Sequence, residues 1–307
     1  MDKLRAMQTF VRVVEAGSFS AVAHEQDTTQ SAVSKQVAAL EQELGARLLT
    51  RTTRSLSLTE EGERYFAQAR RLVSEIAEAE GALRRGEQQL SGWLRVAASV
   101  GFGRLHLMPL VQSFLALHPA VKIDLRLSDG FVDLVEQGID VALRIGELED
   151  SGLVARRVGM TQRVLVAQRN YLRLQRKARR RLVSPADLVD HNCIVYTELA
   201  MRNDWLFQAG PGAPEPVGTT RSVRVDGNLQ TNSSEVIRAA VLAGMGIGYA
   251  PAWLFARELA DGEVQRLLPD WAPLEVPIQI VSPRERRSSA KVRAFSEHVA
   301  QALGAAL

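Results

Sequence analysis

All 11 prolines of this 307-residue chain lie after residue 90. Because a proline inside a helix removes a backbone hydrogen bond and clashes with the preceding turn, the first 90 residues are free to form long helices. Apolar residues recur there at spacings of three and four, the period of one helix face. After Ser91 and Gly92, β-like runs alternate with amphipathic helical runs, which is typical of an α/β domain with a parallel sheet. The sequence therefore predicts an all-helical N-terminal part and a larger α/β part.

The composition is that of a globular protein from a reducing compartment. Apolar residues make up 46% and charged residues 24% of the chain, which excludes the disordered and collagen-like classes. A single cysteine, Cys193, excludes a disulfide framework, and we expect it to be a buried structural residue. The charged start at residues 1–5 does not resemble a signal peptide, and glycines and a proline interrupt the uncharged run at 239–256. We therefore expect a cytoplasmic protein without a membrane span.

The N-terminal part carries the signals of three consecutive helices. Gly17 and Gly45 are placed to end the first and third helices in the left-handed conformation. Ser18 and Thr29 are good N-caps for the second and third helices, and residues 26–28 form the turn between these two. Two short helices joined by a tight turn are the helix-turn-helix arrangement that reads duplex DNA.

The third helix has one apolar and one polar face. Its apolar residues follow the helical spacing and face inward: Val33, Val37, Leu40 and Leu44. The opposite face carries short or polar side chains in its first two turns: Gln30, Ser31, Ser34, Lys35 and Ala38. Side chains of this kind approach base edges in a DNA groove without steric conflict. The pattern therefore predicts that this is the recognition helix.

A small β-hairpin, or wing, is predicted directly after the helices, over residues 47–58. Leu56 and Leu58 alternate with polar residues, which is the pattern of a short strand. The tip carries Arg51 and Arg54, which are suited to phosphate or minor-groove contacts. Because helical triplets are common, a three-helix bundle with a solvated hairpin is the alternative interpretation of the same residues.

Five motifs in this part resemble those of a known family. They are AGSFSA at 16–21, QSAVSKQ at 30–36, LEQELG at 40–45, RTTR at 51–54 and LTEEG at 58–62. Together they resemble the winged helix of LysR-type transcriptional regulators, and the match is dense over residues 4–66. The chain departs from the family pattern at Gln26 and Thr28, where aliphatic residues are usual.

The resemblance implies a sequence-specific transcriptional regulator that binds double-stranded promoter DNA and is not an enzyme. The residues that it implies on the DNA are Gln30, Ser31, Ser34, Lys35, Arg51, Thr53 and Arg54. We expect a winged helix-turn-helix domain over 1–59, a linker helix over 60–90 and an effector-binding domain over 91–307. In the hypothesised mechanism, effector binding changes DNA binding, DNA bending and contact with RNA polymerase.

The linker helix over residues 60–90 is predicted to begin after the cap residue Thr59. Its apolar residues repeat at alternating spacings of four and three, which is a heptad seam. The seam consists of Tyr65, Ala69, Leu72, Ile76, Ala79 and Leu83. A stripe this narrow favours pairing with the same helix of a second copy, and the resemblance implies the same, so we expect a homodimer or a homotetramer. The alternative is an amphipathic helix packed on its own chain.

The α/β part resembles the two-lobed, periplasmic-binding-protein-like domain of the same regulators. One lobe is expected at about 91–163 and 270–307 and the second at about 164–269, with a ligand between them. Ligands of open α/β sheets lie beyond the C-terminal ends of the strands, where helix N-termini point.

Four segments of this domain are predicted to face the ligand. Their candidate residues are Ser99, Gly101, Phe102, Arg144, Gly146, Thr197, Glu198, Asn232 and Ser233. Convergent helix N-termini and a fixed arginine suit a small organic anion. As alternatives, the serines act as N-caps, and Arg144 forms an ion pair with Asp129 or Glu147.

The sequence shows no catalytic or metal-binding pattern. The five histidines are scattered, without the spacing of a metal site. Residues 244–248 (GMGIG) follow a helix and precede a strand, the reverse of the order in a nucleotide-binding loop. We therefore predict no catalytic residue, no metal and no cofactor besides the effector. A small-molecule binding protein with a helical appendage and an enzyme built on the α/β part are the rival classes.

A strongly basic run at 169–181 carries seven Lys and Arg residues and no acid. The formal net charge of the whole chain is only +3, so its basicity comes from this run and not from the DNA-reading part. A solvated surface and an auxiliary contact with a polyanion are the two interpretations of the run.

Overall fold

The computed structural model describes residues 2–51, 56–83, 90–146, 152–178, 181–198, 202–273, 275–287 and 289–306. The chain divides into two compact units. One consists of the chain up to Trp93 together with residues 135–138, and the other of residues 94–134 and 139 onward. Each unit has its own buried apolar core.

The N-terminal unit contains the three helices, the hairpin and the long helix that the sequence predicts. They are α1 (Lys3–Ala16), α2 (Phe19–Glu25), α3 (Gln30–Leu44), β1 (Leu49–Arg51), β2 (Leu56–Leu58) and α4 (Glu60–Leu83). Gly17 and Gly45 end α1 and α3 with φ of +64° and +66°, a conformation that costs glycine little. Ser18 and Thr29 each accept a hydrogen bond from the backbone N–H three residues later, at 3.3 and 3.2 Å. The four capping predictions are confirmed.

The core of this unit forms where the apolar faces of α1 and α3 meet. Phe10, Val33, Val37 and Leu40 have no exposed surface. Leu44 lies at the end of the stripe and is half-buried. Full burial of one such side chain stabilises the fold by about 1.5–3 kcal/mol, so these contacts supply much of the unit's stability. The inward face predicted for α3 is confirmed.

The turn between α2 and α3 leaves its two unusual residues out of the core. Gln26 is half-buried and Thr28 is exposed. Asp27 between them has a φ of +49°, a left-handed conformation that Asp tolerates better than most residues. Because neither polar side chain is forced into apolar surroundings, the departure from the family pattern carries no burial cost.

A close backbone approach joins α4 to the hairpin. A Cβ atom on Gly62 would overlap the backbone carbonyl oxygen of Leu48, so glycine is required at this position. The Thr59 hydroxyl accepts a hydrogen bond from the Gly62 N–H at 2.9 Å. One carboxylate oxygen of Glu41, on α3, accepts from the N–H groups of Leu48 and Leu49 at 2.8 and 3.1 Å. These contacts hold α3, the hairpin and α4 together.

We predict that Gly62→Ala lowers the stability of the N-terminal unit. The new methyl group must displace the Leu48 carbonyl, and overpacking of this kind costs about 1–3 kcal/mol. Urea unfolding of the full chain, followed by circular dichroism, measures the change. Gly304→Ala is the matched control, because a Cβ there meets no atom within 4 Å. Equal unfolding midpoints for the two variants would contradict the assigned contact.

The larger unit, with the strand that leads into it, alternates strands and helices. Its elements are β3 (Gly92–Ala98), α5 (Val100–Phe102), α6 (Met108–Leu117), β4 (Val121–Leu127), β5 (Val141–Ile145), β6 (Leu153–Gln168), α7 (Arg169–Lys177), β7 (Cys193–Tyr196), β8 (Asp204–Ala209), β9 (Thr220–Arg224), β10 (Leu229–Thr231), α8 (Ser234–Leu242), β11 (Ile247–Pro251), α9 (Ala256–Ala260), β12 (Val264–Arg266), β13 (Trp271–Pro273), β14 (Glu275–Pro283) and α10 (Ala290–Ala306). A π-helical turn, Gly103–Leu107, joins α5 and α6 into one continuous helix.

This continuous helix, Val100–Leu117, is long and apolar enough by length and composition to cross a membrane. Phe102, Leu107 and Phe114 on it are nevertheless buried against the rest of the protein. A core helix of a soluble domain passes the same test of length and composition, so the helix is weak evidence of a membrane span.

The main sheet has the strand order β10-β7-β11-β6-β14-β5-β3-β4, with β12 also paired to β6. Parallel pairing, as predicted, joins β10, β7 and β11 at one side and β3 with β5 at the other. The two central strands, β6 and β14, run antiparallel to each other and to their outer neighbours. The sheet therefore contains both parallel and antiparallel pairs. The antiparallel pairs are those that β6 and β14 form with each other and with β11 and β5.

Two details of this unit differ from the sequence analysis. The sequence of residues 132–136 predicts a short helix, but these residues lie in a segment that turns over 134–138, because so short a run cannot nucleate an isolated helix. A three-stranded sheet, β13-β8-β9, was missed. Its signal was present in β8, where buried Trp205, Phe207 and Ala209 alternate with less buried residues.

The single cysteine lies in the core of this unit, as predicted. Cys193 is fully buried on β7, and its side chain packs in the same cluster as Trp205 and Phe207. Burial raises the pKa of the Cys193 thiol to about 12, which keeps it protonated and unreactive at neutral pH.

Candidate DNA-binding surface and effector cleft

The polar residues predicted on α3 share one side of that helix. Gln30, Ser31 and Lys35 are exposed, and Ser34 is half-buried. The helix is oriented from its other side, where the Thr9 hydroxyl of α1 donates a hydrogen bond to the side-chain oxygen of Gln36 at 2.8 Å. The structure thus presents four candidate DNA contacts on a helix whose opposite side is fixed in the core.

The wing stands beside this helix in the same unit. Its strands pair antiparallel, with Leu49 opposite Leu58 and Arg51 opposite Leu56. Arg51 is the last described residue before the tip, and the predicted contacts Thr53 and Arg54 lie outside the described residues. The hairpin prediction is confirmed.

The residues of the seam predicted on α4 lie in two different environments, one inside the core of the unit and one at its surface. Ala69 is 1% exposed within the core of its own unit, and the ring of Tyr65 lies 5.7 Å from that of Phe10 on α1. Leu72, one turn further, is 39% exposed, and Ile76 is half-buried. The first part of the seam is therefore used within the chain, which was the alternative interpretation. The side chains of Ala79 and Leu83 lie outside the described part of the structure.

In the larger unit, two helix N-termini from opposite halves of the sheet meet on one carboxylate. Asp129, which follows β4, accepts hydrogen bonds from the N–H of Val100 at 2.9 Å and from the N–H and hydroxyl of Ser234 at 2.8 and 3.0 Å. Val100 begins α5 beside β3, and Ser234 begins α8 beside β7 and β11. The position that the sequence analysis assigned to an anionic ligand is thus taken by an acid of the chain itself. We call this region, together with Tyr196, the effector cleft.

Further contacts cross the cleft beside Asp129. A Cβ on Gly101 would lie 3.2 Å from Leu254 and 3.3 Å from the Ser234 hydroxyl. The ring of Phe102 meets that of Trp253 edge-on at 5.6 Å. These two predicted residues therefore pack against the opposite half of the sheet.

The predicted serines differ in their roles. Ser233 caps α8 by accepting a hydrogen bond from the Val236 N–H at 3.4 Å, which was the alternative for this residue. Ser99 precedes α5, but its hydroxyl makes no capping bond and remains available to a ligand. Asn232 is exposed next to Ser233.

The other predicted residues lie around this site. Thr197 donates its N–H to the Thr231 carbonyl oxygen at 2.9 Å at the end of β7. Glu198 is exposed, and a Cβ on Gly130, next to Asp129, would lie 3.6 Å from its carboxylate. The cleft thus already holds acidic groups from two segments.

Arg144 and Gly146 have local partners on β5 and its neighbours. The Arg144 guanidinium donates to the Val132 carbonyl oxygen and lies 4.4 Å over the ring of Phe131. Burial lowers the pKa of Arg144. Gly146 has a φ of +119° and accepts a hydrogen bond from Gln279 at 2.9 Å. The predicted ion pair with Asp129 is absent among the described residues, and Glu147 lies outside them.

Tyr196 belongs to the strand end 196–198 that was predicted to face the ligand, whereas Arg163 was not predicted at this site. The Tyr196 hydroxyl donates to the backbone carbonyl oxygen of Asp129 at 3.4 Å. Arg163 lies on β6 and its guanidinium carbon is 5.8 Å from the centre of the Tyr249 ring. Arg163 was missed because its position depends on how distant strands pair, which no local pattern contains.

The basic run forms an open groove on α7. Arg169, Arg173, Arg176 and Lys177 are exposed there, and a cavity of about 520 Å³ lies between them. Residues 179–180 of the run lie outside the described residues. The two interpretations of the run, a solvated surface or a contact with a polyanion, both remain predictions.

Comparison with known proteins identifies the class to which this architecture belongs. The family described as "Bacterial regulatory helix-turn-helix protein, lysR family" matches residues 4–63, and the family described as "LysR substrate binding domain" matches residues 87–304. The chain therefore belongs to the LysR-type family of transcriptional regulators, with a DNA-binding helix-turn-helix and an effector-binding domain. The family, fold class and function predicted from the sequence are confirmed.

Individual relatives span the whole chain. The HTH-type transcriptional regulator CrgA of Neisseria meningitidis serogroup C is 33% identical over 299 residues, which cover 97% of this chain and 96% of CrgA. PtxR of Pseudomonas aeruginosa is 35% identical over 301 residues, which cover 98% and 93%. The solved structure of CrgA from N. meningitidis matches with a TM-score of 0.60 and 32% identity over 98% of both chains. The full-length structure of the Vibrio cholerae virulence activator AphB matches with a TM-score of 0.57 and 27% identity, covering 96% of this chain and 98% of AphB.

We predict that Asp129→Asn lowers the stability of the larger unit by about 1–3 kcal/mol, because the amide leaves at least one half-buried N–H or hydroxyl donor without an acceptor. Thermal unfolding of the full chain measures the loss. Asp261→Asn is the matched control, since Asp261 is 64% exposed and its ion pair with Arg257 is a surface contact. If the two variants unfold at the same temperature, the contacts of Asp129 do not hold the two helices.

Proposed function

We propose that a small organic anion binds in the effector cleft and changes how the N-terminal units of a homo-oligomer hold promoter DNA. The observation that supports a ligand-dependent change is the meeting of Val100 and Ser234, from opposite halves of the sheet, on Asp129, which ties the two halves together beside the cleft. A ligand that binds one arrangement of the two halves more tightly shifts the population toward it. The readout is a change in DNA binding, DNA bending and contact with RNA polymerase, in the cytoplasm.

The DNA contacts proposed for α3 are Gln30, Ser31, Ser34 and Lys35, and those proposed for the wing are Arg51, Thr53 and Arg54. Support comes from the exposed, polar and cationic character of the α3 face and from its fixed orientation. A recognition helix reads base edges through such side chains, while wing arginines neutralise phosphates.

We predict that Lys35→Ala weakens binding to duplex promoter DNA and reduces the slope of log affinity against log salt concentration. One lost phosphate contact changes that slope by about 0.9. Fluorescence anisotropy at several NaCl concentrations measures both quantities. Arg257→Ala removes the same charge from a site that is 87% exposed in the larger unit, and it should leave both unchanged. Equal salt slopes for the two variants would show that Lys35 does not contact a DNA phosphate.

The proposed dimer contact is the part of α4 beyond its own core, from Leu72 and Ile76 toward Leu83. Leu72 keeps 39% of its surface exposed at a position where the heptad continues. Joining two DNA-reading units in this way raises their effective concentration on two half-sites. A tetramer follows if two such dimers associate through their larger units.

We predict that Leu72→Glu shifts the full chain from dimer toward monomer, because two carboxylates would face each other in the seam. Sedimentation equilibrium measures the dissociation constant. Leu174→Glu is the matched control, since Leu174 is also a surface leucine on a helix and is 58% exposed. A dimer unchanged by Leu72→Glu would place the main association surface elsewhere than α4.

A further inference from the structure

Arg163 lies where the central strand β6 changes partners. Up to Gln162, β6 pairs with β14, and from Arg163 to Ala167 it pairs with β11, with Arg163 opposite Pro251. Pro251 is the last residue of β11, and the parallel strand β7 ends at Tyr196. Arg163 is therefore at the edge of the sheet formed by the C-terminal ends of parallel strands, where open α/β sheets bind their ligands.

The guanidinium of Arg163 has aromatic neighbours but no acid. It lies 5.8 Å from the ring centre of Tyr249, which is itself stacked on Trp205 at 4.9 Å. The electrostatic neighbours of the guanidinium are the phenol groups of Tyr249 and Tyr196. Within the described ranges, the guanidinium of Arg163 makes neither an ion pair nor a hydrogen bond, although part of the residue's surface remains open to solvent.

Two other partly buried arginines of the same unit, Arg95 and Arg286, are each paired with an acid. Arg95 has Asp124 at 3.4 Å and Arg286 has Asp140 at 3.3 Å. A cation held in apolar surroundings without an anion loses hydration and gains no compensating charge, and in Arg163 this burial also lowers the pKa. The site of Arg163 therefore favours an anion that comes from outside the chain.

The neighbouring acids restrict which anion fits. Asp129 has already used the N–H groups that begin α5 and α8, so these helix N-termini are not open to a ligand's acid group. Tyr196 lies between Asp129 and Arg163. Its hydroxyl donates to the Asp129 backbone oxygen, and its phenol interacts electrostatically with Asp129, Glu198 and Arg163. A second negative charge on the ligand would lie near these carboxylates and be repelled.

We propose that Arg163 binds the carboxylate of a monoanionic effector, and that Asp129 and Glu198 disfavour dianions. A carboxylate accepts two parallel hydrogen bonds from a guanidinium, and the half-buried ring of Tyr196 offers an apolar surface to the rest of the molecule. The inference rests on the proposed function, in that the larger unit binds an effector, and it names the chemical class and the binding residue.

The test compares benzoate, benzamide and phthalate as probes of the full chain by thermal shift at matched ionic strength. Benzamide has the shape of benzoate without its charge, and phthalate adds a second carboxylate. We expect benzoate to raise the melting temperature more than either of the others, because a ligand that binds only the folded state stabilises it. Arg163→Met should abolish the difference between benzoate and benzamide, whereas Arg157→Met, an exposed arginine on the same strand, should keep it.

A second readout needs no ligand. Arg163→Met replaces an unpaired cation by an apolar side chain, so the ligand-free variant should melt about 2–4 °C higher than the parent. A lower melting temperature would show that the guanidinium is a structural element, and it would overturn the proposal. An equal benzoate shift in parent and variant, a larger shift with phthalate, or no benzoate shift in the parent would each overturn it too. The Lys35→Ala salt titration does not involve Arg163, so it tests the DNA-binding part of the proposed function separately.

Discussion

The carboxylate of Asp129 is the interaction on which the arrangement of the larger unit depends. Helices α5 and α8 each begin with N–H groups that lack partners within the helix, and the positive ends of the two helices would repel each other if nothing lay between them. One acid that accepts from both removes the repulsion and satisfies the donors. Because Asp129 holds the starts of α5 and α8 together, Gly101 lies close to Ser234, and Phe102 contacts Trp253.

The same carboxylate changes how the effector cleft works as an anion site. A pair of helix N-termini attracts any anion, but here the anion is the carboxylate of Asp129, which follows β4 in the chain itself. In the proposed site, selectivity comes from the groups around Asp129, which are the guanidinium of Arg163 and the exposed acid Glu198.

Local sequence patterns were sufficient for the N-terminal unit. Helix spacing, the caps Ser18 and Thr29 and the left-handed glycines all act within a few residues, and the structure follows them. In the larger unit the alternation of parallel strands with helices was predicted for the same reason. The direction of β6 and β14 was not, because it depends on how two distant half-sheets are joined.

The candidate site was only partly predictable. Ser99, Gly101 and Ser233 were predicted from their positions at strand ends and helix starts, and as ligand contacts they stay predictions. The hydrogen bond from Ser234 to Asp129 joins residues 105 positions apart, and nothing near either residue indicates it. Likewise, the burial of Ala69 reflects packing of α4 on α1, which a heptad pattern cannot distinguish from packing on a second chain.

The tight approach of Gly62 to Leu48 also determines how motion travels through the N-terminal unit. Helix α4 has 24 described residues, which corresponds to a length of about 36 Å at 1.5 Å per residue. The first turn of α4 is fixed to the wing and to α3. The helix and the DNA-reading surface therefore rotate together about this fixed turn. A tilt of about 5° at the wing becomes a displacement of about 3 Å at the far end of a helix of that length. Conversely, small displacements at the far end become rotations of the described part of the wing.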